Sequence, residues 1–202
     1  EGVPEAARDH PAYLSARARL ALVNGETETA RDYYRRAHEQ APSARTVTRW
    51  ATLEHALGNS QRAEELLHDW VTERPGDAEA QQALGDVYAS TGRDREAATA
   101  YKAVLEQDPG SVRALNNLAW ILREQAPAEA LDYAEHAARL QPEDPRVLDT
   151  LGVVRLENGD AERAVRQLRE AVELAPEAAV VRYHLAEALV AGCARSAKNR
   201  PQ

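Results

Sequence analysis

Apolar positions along most of the chain recur at the three- and four-residue spacing of an amphipathic helix. The segment AERAVRQLREAVELA, residues 161–175, illustrates the pattern. The apolar positions on one face of this helix are Ala164, Val165, Leu168, Ala171, Val172 and Ala175. No segment indicates a β-strand. The pattern therefore predicts an all-α chain of eleven helices joined by short loops.

The breaks between these helices return with a fixed period. Prolines follow every second predicted helix at intervals of 33 or 34 residues, at Pro42, Pro75, Pro109, Pro142 and Pro176. Four glycines each stand 17 residues before one of these prolines, at Gly25, Gly58, Gly92 and Gly159. Because glycine tolerates a positive φ, we expect it to close the first helix of each pair. Since proline cannot continue a helix, we expect it just past the second.

The period predicts one helix–turn–helix hairpin repeated along residues 1–202 as a single array. The repeats span residues 11–43, 44–77, 78–110, 111–143 and 144–177, followed by a half repeat at 178–192 and a frayed tail at 193–202. The fourth repeat lacks its glycine near Gln125 and is expected to turn at Pro127 instead. Because one hairpin cannot bury its apolar face alone, the hairpins must stack on one another.

The period, the prolines and a Leu-Gly pair on the first helix together resemble the tetratricopeptide repeat family. The pair stands in LGDVY at 84–88 and LGVVR at 151–155, with the Ala variants LAW and LAE beginning at Leu118 and Leu185. The resemblance covers about residues 11–192. It implies a right-handed superhelical solenoid that binds other proteins without catalysis. Trp70 departs from the pattern, because the family usually has a small residue there.

Composition narrows the functional classes. The net charge is −8 and the pI is near 5.3, which argues against nucleic-acid binding because that binding requires Lys and Arg on phosphates. No run approaches the roughly 20 apolar residues that cross a bilayer, so we expect no membrane insertion. Phe and Met are absent, so we expect a core of Ala, Leu and Val. The excess of Arg over Lys, with abundant Ala, favours a bacterial source.

The sequence contains no pattern typical of a catalytic or metal site. It has no Gly-rich phosphate loop, zinc-binding HExxH or nucleophile elbow. The six histidines are scattered, and we interpret them as polar residues of the surface or of a groove. The single cysteine, Cys193, excludes an intramolecular disulfide and a Cys-rich metal site. We therefore expect neither enzymatic activity nor a cofactor nor a metal.

The resemblance implies a concave groove lined by the first helices. In the fourth to sixth repeats, Trp120 with Arg113, Arg123 and Arg146 combines a flat apolar ring with planar donors, and these residue types dominate binding hot spots. The alternative for Trp120 is packing between neighbouring helices. The candidate partner-binding residues are Arg45, Arg49, Arg113, Asn116, Asn117, Trp120, Arg123, Arg146, Asp149 and Tyr183.

These residues predict capture of a protein or peptide partner, extended or helical, in the concave groove. The basic clamp of chaperone-tail-binding members is absent, and only Asn117 matches the Asn ladder of glycosyltransferase-linked members. LNNLAW and VRYHLAEALVAG resemble bacterial arrays of exopolysaccharide export and exosortase-type envelope systems. This resemblance favours a periplasmic or envelope location slightly over the cytoplasm.

Three alternatives remain open at this point. The array is a structural spacer or self-associates through its terminal repeats, it is the docking part of a larger enzyme, or it binds anionic polysaccharide through groove arginines. The net charge of −8 disfavours the last, because an acidic protein repels an anionic ligand unless its arginines cluster.

Overall fold

The computed structural model of the protein describes residues 9–198, without the side chains of 194–198. Within these residues the chain forms eleven α-helices and no strand, which confirms the predicted all-α class. The helices are α1 (Pro11–Val23), α2 (Thr27–Gln40), α3 (Ala44–Ala56), α4 (Ser60–Glu73), α5 (Ala78–Ser90), α6 (Asp94–Gln107), α7 (Val112–Leu122), α8 (Pro127–Leu140), α9 (Pro145–Glu157), α10 (Ala161–Leu174) and α11 (Ala179–Lys198). None of the described helices combines the length and apolar character that crossing a membrane requires.

The chain divides into two compact units, Glu1–Gln107 and Asp108–Gln202. Unit 1 contains α1–α6 and unit 2 contains α7–α11. Odd-numbered helices are the first helices of their hairpins, and even-numbered helices are the second. Each of the five first helices α1, α3, α5, α7 and α9 packs against the second helix that follows it, which is the hairpin that the sequence predicts, whereas α11 is the last helix of the described residues.

The turn inside four hairpins depends on glycine, as predicted. Gly25, Gly58, Gly92 and Gly159 have φ angles of 77°, 82°, 74° and 80°. At Gly25, Gly58 and Gly92 an added Cβ would meet no atom within 4 Å. The left-handed backbone, rather than lack of space, therefore explains the glycine there. In the fourth repeat the chain turns through residues 123–126 and α8 begins at Pro127.

The five periodic prolines each lie two residues beyond the end of a second helix. Pro142, for example, follows α8, which ends at Leu140, and Pro176 follows α10, which ends at Leu174. Because proline has no backbone N–H to donate, it is tolerated just past a helix and blocks its continuation. The proline period thus marks the ends of α2, α4, α6, α8 and α10.

The Leu-Gly pair allows two helices of one hairpin to approach closely. A Cβ added to Gly85 on α5 would lie 2.5 Å from Tyr101 Cε1 on α6. A Cβ added to Gly152 on α9 would lie 2.4 Å from Leu168 Cγ on α10. Both Tyr101 and Leu168 are buried. The glycine therefore provides the space that the large residue of the second helix fills.

The fourth repeat meets the same requirement differently. Its first helix, α7, has Ala119 where α5 has Gly85 and α9 has Gly152, and Ala119 shares a buried cluster with Ala134 of α8. Ala134 stands at the repeat position of Tyr101 and Leu168, one period of 33 or 34 residues away from each. An alanine on each side thus replaces the combination of glycine with a large residue.

The buried residues are mostly Ala, Leu and Val, with a few Trp and Tyr. The predicted half repeat at 178–192 corresponds to α11, which continues to Lys198. The frayed tail stays a prediction for residues 199–202, which lie outside the described part of the chain.

Candidate functional site

In unit 2 the first helices form one continuous side. Helix α7 contacts α9, and α9 contacts α11, whereas the second helices α8 and α10 do not touch over a comparable extent. The first helices therefore line the inner side of this unit. We call the side formed by Asn116 and Trp120 of α7, Asp149 of α9, and Tyr183 and His184 of α11 the inner face.

Trp120 is a partly exposed residue of the inner face. It lies in the last turn of α7, and 36% of its surface is exposed. The Arg123 guanidinium lies 4.2 Å from the centre of its ring, which is a cation–π contact. Arg123 Nη1 also donates to the Trp120 carbonyl at 2.7 Å, and its Nη2 donates to Glu124 at 2.7 Å. Arg123 therefore holds Trp120 in place and has its charge partly compensated.

A buried hydrogen-bonded pair lies beneath this surface. His184 Nδ1 and Asp149 Oδ1 are 2.8 Å apart, and both residues are 8% exposed. The His184 ring centre lies 5.8 Å from that of Trp120 and 5.8 Å from that of Tyr183. Burial raises the pKa of the Asp149 carboxyl, and the hydrogen bond with His184 opposes that rise. The pair thus connects α9 with α11 and contacts both aromatic rings of the inner face.

Tyr183 and Asn116 complete the inner face. Tyr183 is 60% exposed, and its hydroxyl donates to Glu187 Oε1 at 2.7 Å. Asn116 Oδ1 is buried, and no hydrogen-bond donor reaches it from the described residues. A buried acceptor without a donor is energetically costly. Asn116 Oδ1 is therefore a buried acceptor whose hydrogen bond is not made within the described residues.

The structure places the other candidate residues away from this cluster or in other contacts. Arg146, at the start of α9, pairs with Asp144, with 3.0 Å between Nη2 and Oδ2. The hydrogen bond from Arg146 lowers the pKa of the Asp144 carboxyl. Arg113 is exposed at the start of α7, and Asn117 is half-buried on the same helix.

Arg45 and Arg49 belong to unit 1 and lie on α3. Arg45 is exposed and Arg49 is half-buried. The Arg45 carbonyl accepts a hydrogen bond from Thr48 Oγ1 at 3.3 Å, and the same hydroxyl lies 3.2 Å from Glu79 Oε1 of α5. Both arginines therefore lie on α3 close in sequence to Thr48, which connects this first helix with the next one, α5.

Sequence analysis missed the role of His184. It predicted a histidine of the surface or the groove, whereas the ring is buried and bonded to Asp149. The available signal is the separation of 35 residues, close to one repeat. His55 and Ser90 of unit 1 have the same separation, with Nε2 and Oγ 3.0 Å apart. Polar residues one repeat apart on first helices are thus candidates for contact.

Among the described residues, no group of three or more His, Cys, Asp or Glu side chains is arranged to hold a metal ion. The residues of the inner face offer aromatic surface, hydrogen-bond acceptors and compensated arginines. That combination is typical of a binding surface.

The comparisons with known proteins agree with the repeat pattern. The family described as Tetratricopeptide repeat matches residues 54–121, and a second match of the same description covers residues 150–192. Together the two matched stretches span more than half of the chain.

The chain is 27% identical over 166 residues to Protein O-mannosyl-transferase TMTC1 of Homo sapiens. The match covers 80% of this chain and 19% of the human protein. The chain therefore spans about a fifth of the length of that curated relative.

Three solved structures illustrate the similarity of fold. Yeast Tom70 has a TM-score of 0.79 at 16% identity, covering 96% of this chain and 42% of Tom70. A thermophilic TPR protein of Thermus thermophilus has a TM-score of 0.67 at 18% identity, covering 89% and 99% of the two chains. YrrB, a TPR protein with an unusual peptide-binding site, has a TM-score of 0.66 at 16% identity, covering 89% and 93%.

Proposed function

Because the chain belongs to the tetratricopeptide repeat family, we propose that it is a non-catalytic scaffold that binds a protein or peptide segment on the inner face of unit 2. Proteins of this family are generally protein-interaction scaffolds. The observation that carries the proposal is the exposed, supported ring of Trp120. A partly exposed tryptophan held by Arg123 on one side and contacting His184 loses little side-chain freedom on binding.

The chemistry of the inner face suggests what such a segment offers. Trp120 and Tyr183 provide flat apolar area for an aliphatic or aromatic side chain. Asn116, which is half-buried on α7, remains a proposed contact for a backbone amide of the partner. The partner is therefore a segment that presents one large apolar side chain to these two rings.

We expect the arginines to contribute less to binding than the two aromatic rings. Arg123 is bonded to Glu124 and to the Trp120 carbonyl, and Arg146 is paired with Asp144. A partner carboxylate would have to displace these contacts. Arg113 and Asn117 remain proposed contacts at the α7 side of the inner face. Arg45 and Arg49 remain proposed contacts for a partner of unit 1.

The test uses peptides selected on the intact protein from a random displayed library. The dissociation constant of one selected peptide is measured by fluorescence anisotropy for the wild type, for Trp120→Ala and for Arg113→Ala/Trp120→Ala. Loss of a hot-spot tryptophan is expected to weaken binding about thirtyfold or more, which corresponds to about 2 kcal/mol. Leu140→Ala is the matched control, because Leu140 is an apolar residue of unit 2 that is 45% exposed on α8.

Unchanged binding by both Trp120 variants, for every selected peptide, would contradict the proposal. It would move recognition to the second helices or the ends of the array. Equal loss in Leu140→Ala would point to the outer side of unit 2 instead of the inner face.

A second candidate function is supported by the match to TMTC1. The chain spans 19% of that human transferase, so one proposal is that the array is the docking part of a larger enzyme. Expression of the complete reading frame, followed by an activity assay with and without residues 1–202, tests this.

A separate proposal is that the protein works in a bacterial envelope or secretion system, such as exopolysaccharide export. It rests on the resemblance of the segments LNNLAW and VRYHLAEALVAG to proteins of such systems. Fractionation of the source cells with an antibody against the protein tests it. Self-association through the terminal repeats is tested by sedimentation velocity over a range of protein concentrations.

A further inference from the structure

His184 occupies an unusual position for a buried polar residue. It lies on α11 beneath the inner face, is 8% exposed, and contacts two aromatic rings that are themselves exposed to 36% and 60%. Trp120, on α7, comes from the fourth repeat, whereas Tyr183 is the neighbour of His184 on α11. The imidazole therefore joins two parts of the inner face that come from different repeats.

The orientation of the imidazole ring is determined by Asp149. A histidine ring turns about two side-chain bonds, and one hydrogen bond from Nδ1 at 2.8 Å fixes that rotation. Asp149 lies on α9, between α7 and α11 in the order of first helices. The three first helices of unit 2 thus meet at one buried hydrogen bond with a ring contact on either side.

We propose that His184, oriented by Asp149, is a positioning residue of the inner face that sets the place of the Trp120 ring for partner binding. The inference deepens the proposed function and rests on it where partner affinity is concerned. His184 does not touch the partner. It supports Trp120 from one side, while Arg123 stacks against the same ring. Loss of either the imidazole or its hydrogen-bond acceptor releases the indole.

The charged groups near this cluster bind the aromatic residues beside the His184–Asp149 pair. Arg123 of α7 stacks on Trp120, and Glu187 of α11 accepts the Tyr183 hydroxyl. Asp149 is the carboxylate bonded directly to the imidazole. The variants that test the proposal therefore change His184 and Asp149 and leave Arg123 and Glu187 unchanged.

The test observes Trp120 directly in the intact protein, without a partner. The chain has three tryptophans, and Trp50 and Trp70 of unit 1 are only 9% and 8% exposed. The indole N–H resonances of Trp50 and Trp70 therefore serve as internal references in an ¹⁵N NMR spectrum, with Trp120→Phe for assignment. Acrylamide quenching of fluorescence gives a second readout, because the quencher reaches Trp120 more readily than the other two.

Four variants separate positioning from general packing. His184→Ala removes the ring, and His184→Asn keeps a hydrogen-bond donor for Asp149 but removes the flat surface. Asp149→Leu removes the acceptor, whereas Asp149→Asn keeps an acceptor oxygen and is the conservative rescue. The first three are expected to shift the Trp120 indole resonance and to increase quenching, while Trp50 and Trp70 stay in place. Asp149→Asn is expected to resemble the wild type.

The library-selected peptide adds the functional readout. We expect its affinity to fall about tenfold in His184→Asn and Asp149→Leu, which corresponds to about 1.4 kcal/mol, because Trp120 is no longer held in place. In Asp149→Asn we expect the affinity to recover. An unshifted Trp120 resonance in folded His184→Asn, or equal loss in Asp149→Asn and Asp149→Leu, would overturn the proposal. If Trp120→Ala leaves peptide binding unchanged, the proposed function fails, and the NMR result still decides whether His184 positions Trp120.

Discussion

At the scale of single residues, His38, Trp50 and Trp70 form an aromatic cluster in unit 1. His38 of α2 lies between two tryptophans, with ring centres 6.1 Å from Trp50 and 5.6 Å from Trp70. Its Nδ1 is 3.0 Å from Thr46 Oγ1. Trp70, which departs from the family pattern, is thereby accommodated: it is 8% exposed and its Nε1 donates to Asp77 at 2.9 Å. The large residue at this position forms a cluster with the histidine.

That cluster predicts a dependence of stability on pH. Burial, with a further contribution from the Arg74 charge, lowers the pKa of His38 in the folded protein. The unfolded chain therefore binds the proton more readily, and the free energy of unfolding should fall as the pH drops below the usual histidine range. His38→Gln should flatten this fall between about pH 7 and pH 5, measured by urea unfolding.

The control is His68→Gln, which changes an exposed histidine of α4. Identical pH profiles for the wild type and His38→Gln would mean that the cluster does not disfavour the protonated ring.

Arginine shows at the same scale why the site was only partly predictable. The sequence placed Arg123 and Arg146 near the groove but did not reveal that Glu124, the Trp120 carbonyl and Asp144 compete for their donors. Helical periodicity fixes the face on which a side chain begins. It does not fix where the end of a long, flexible side chain binds. Asp149, a predicted partner contact, is buried against His184, and that pairing depends on how α11 stacks on α9.

At the scale of elements, the sequence predicted the order and ends of the helices because a few glycines and prolines determine where each helix stops. A glycine with positive φ ends four of the first helices, and a proline two residues past each complete second helix stops the chain there. These requirements are local, so spacing alone reveals them. The fourth repeat fits the same frame without the glycine, because Pro127 begins α8 after the turn.

The close approach inside each hairpin gives a prediction for one element pair. Gly152→Ala places a Cβ 2.4 Å from Leu168 Cγ, so α9 and α10 must separate or repack. We expect a loss of about 1–3 kcal/mol in the free energy of unfolding, as for other overpacked cores. Chemical denaturation followed by circular dichroism measures it.

The matched control for this prediction is Gly110→Ala in the same unit. A Cβ there would meet only Asp108 Oδ1, at 3.5 Å, and the backbone φ is not in the left-handed region. Equal stability of Gly152→Ala and the wild type would show that the α9–α10 contact adjusts without cost. The double variant Gly152→Ala/Leu168→Ala should lose less stability than the sum of the two single variants, because the added Cβ fills part of the space that Leu168 leaves.

At the scale of the whole molecule, we expect the net charge of the protein to contribute little to its affinity for a peptide. The protein carries a net charge of −8, yet two arginines near the inner face are already paired with acceptors of the chain. If Trp120 and Tyr183 supply the affinity, salt should matter little. Raising the NaCl concentration from about 50 to 300 mM should change the dissociation constant of the selected peptide less than about threefold.

Anisotropy titrations at several salt concentrations test this expectation. A weakening of tenfold or more would show that the arginines carry the binding. Comparison of Arg113→Gln with Arg123→Gln would then identify which of them does so.

The fit between the small position on a first helix and its neighbour on the second has a consequence for how such an array evolves. Gly85 faces Tyr101, Ala119 clusters with Ala134, and Gly152 faces Leu168. Unequal crossing-over between repeats of similar DNA sequence would join the first helix of one repeat to the second helix of another. A hybrid of Gly85 with Ala134 would contain a void, because Ala134 cannot fill the space that Tyr101 occupies beside Gly85. The repeats look interchangeable in period, but an exchange inside a hairpin can separate residues that fit each other, whereas duplication of a whole hairpin keeps each pair together.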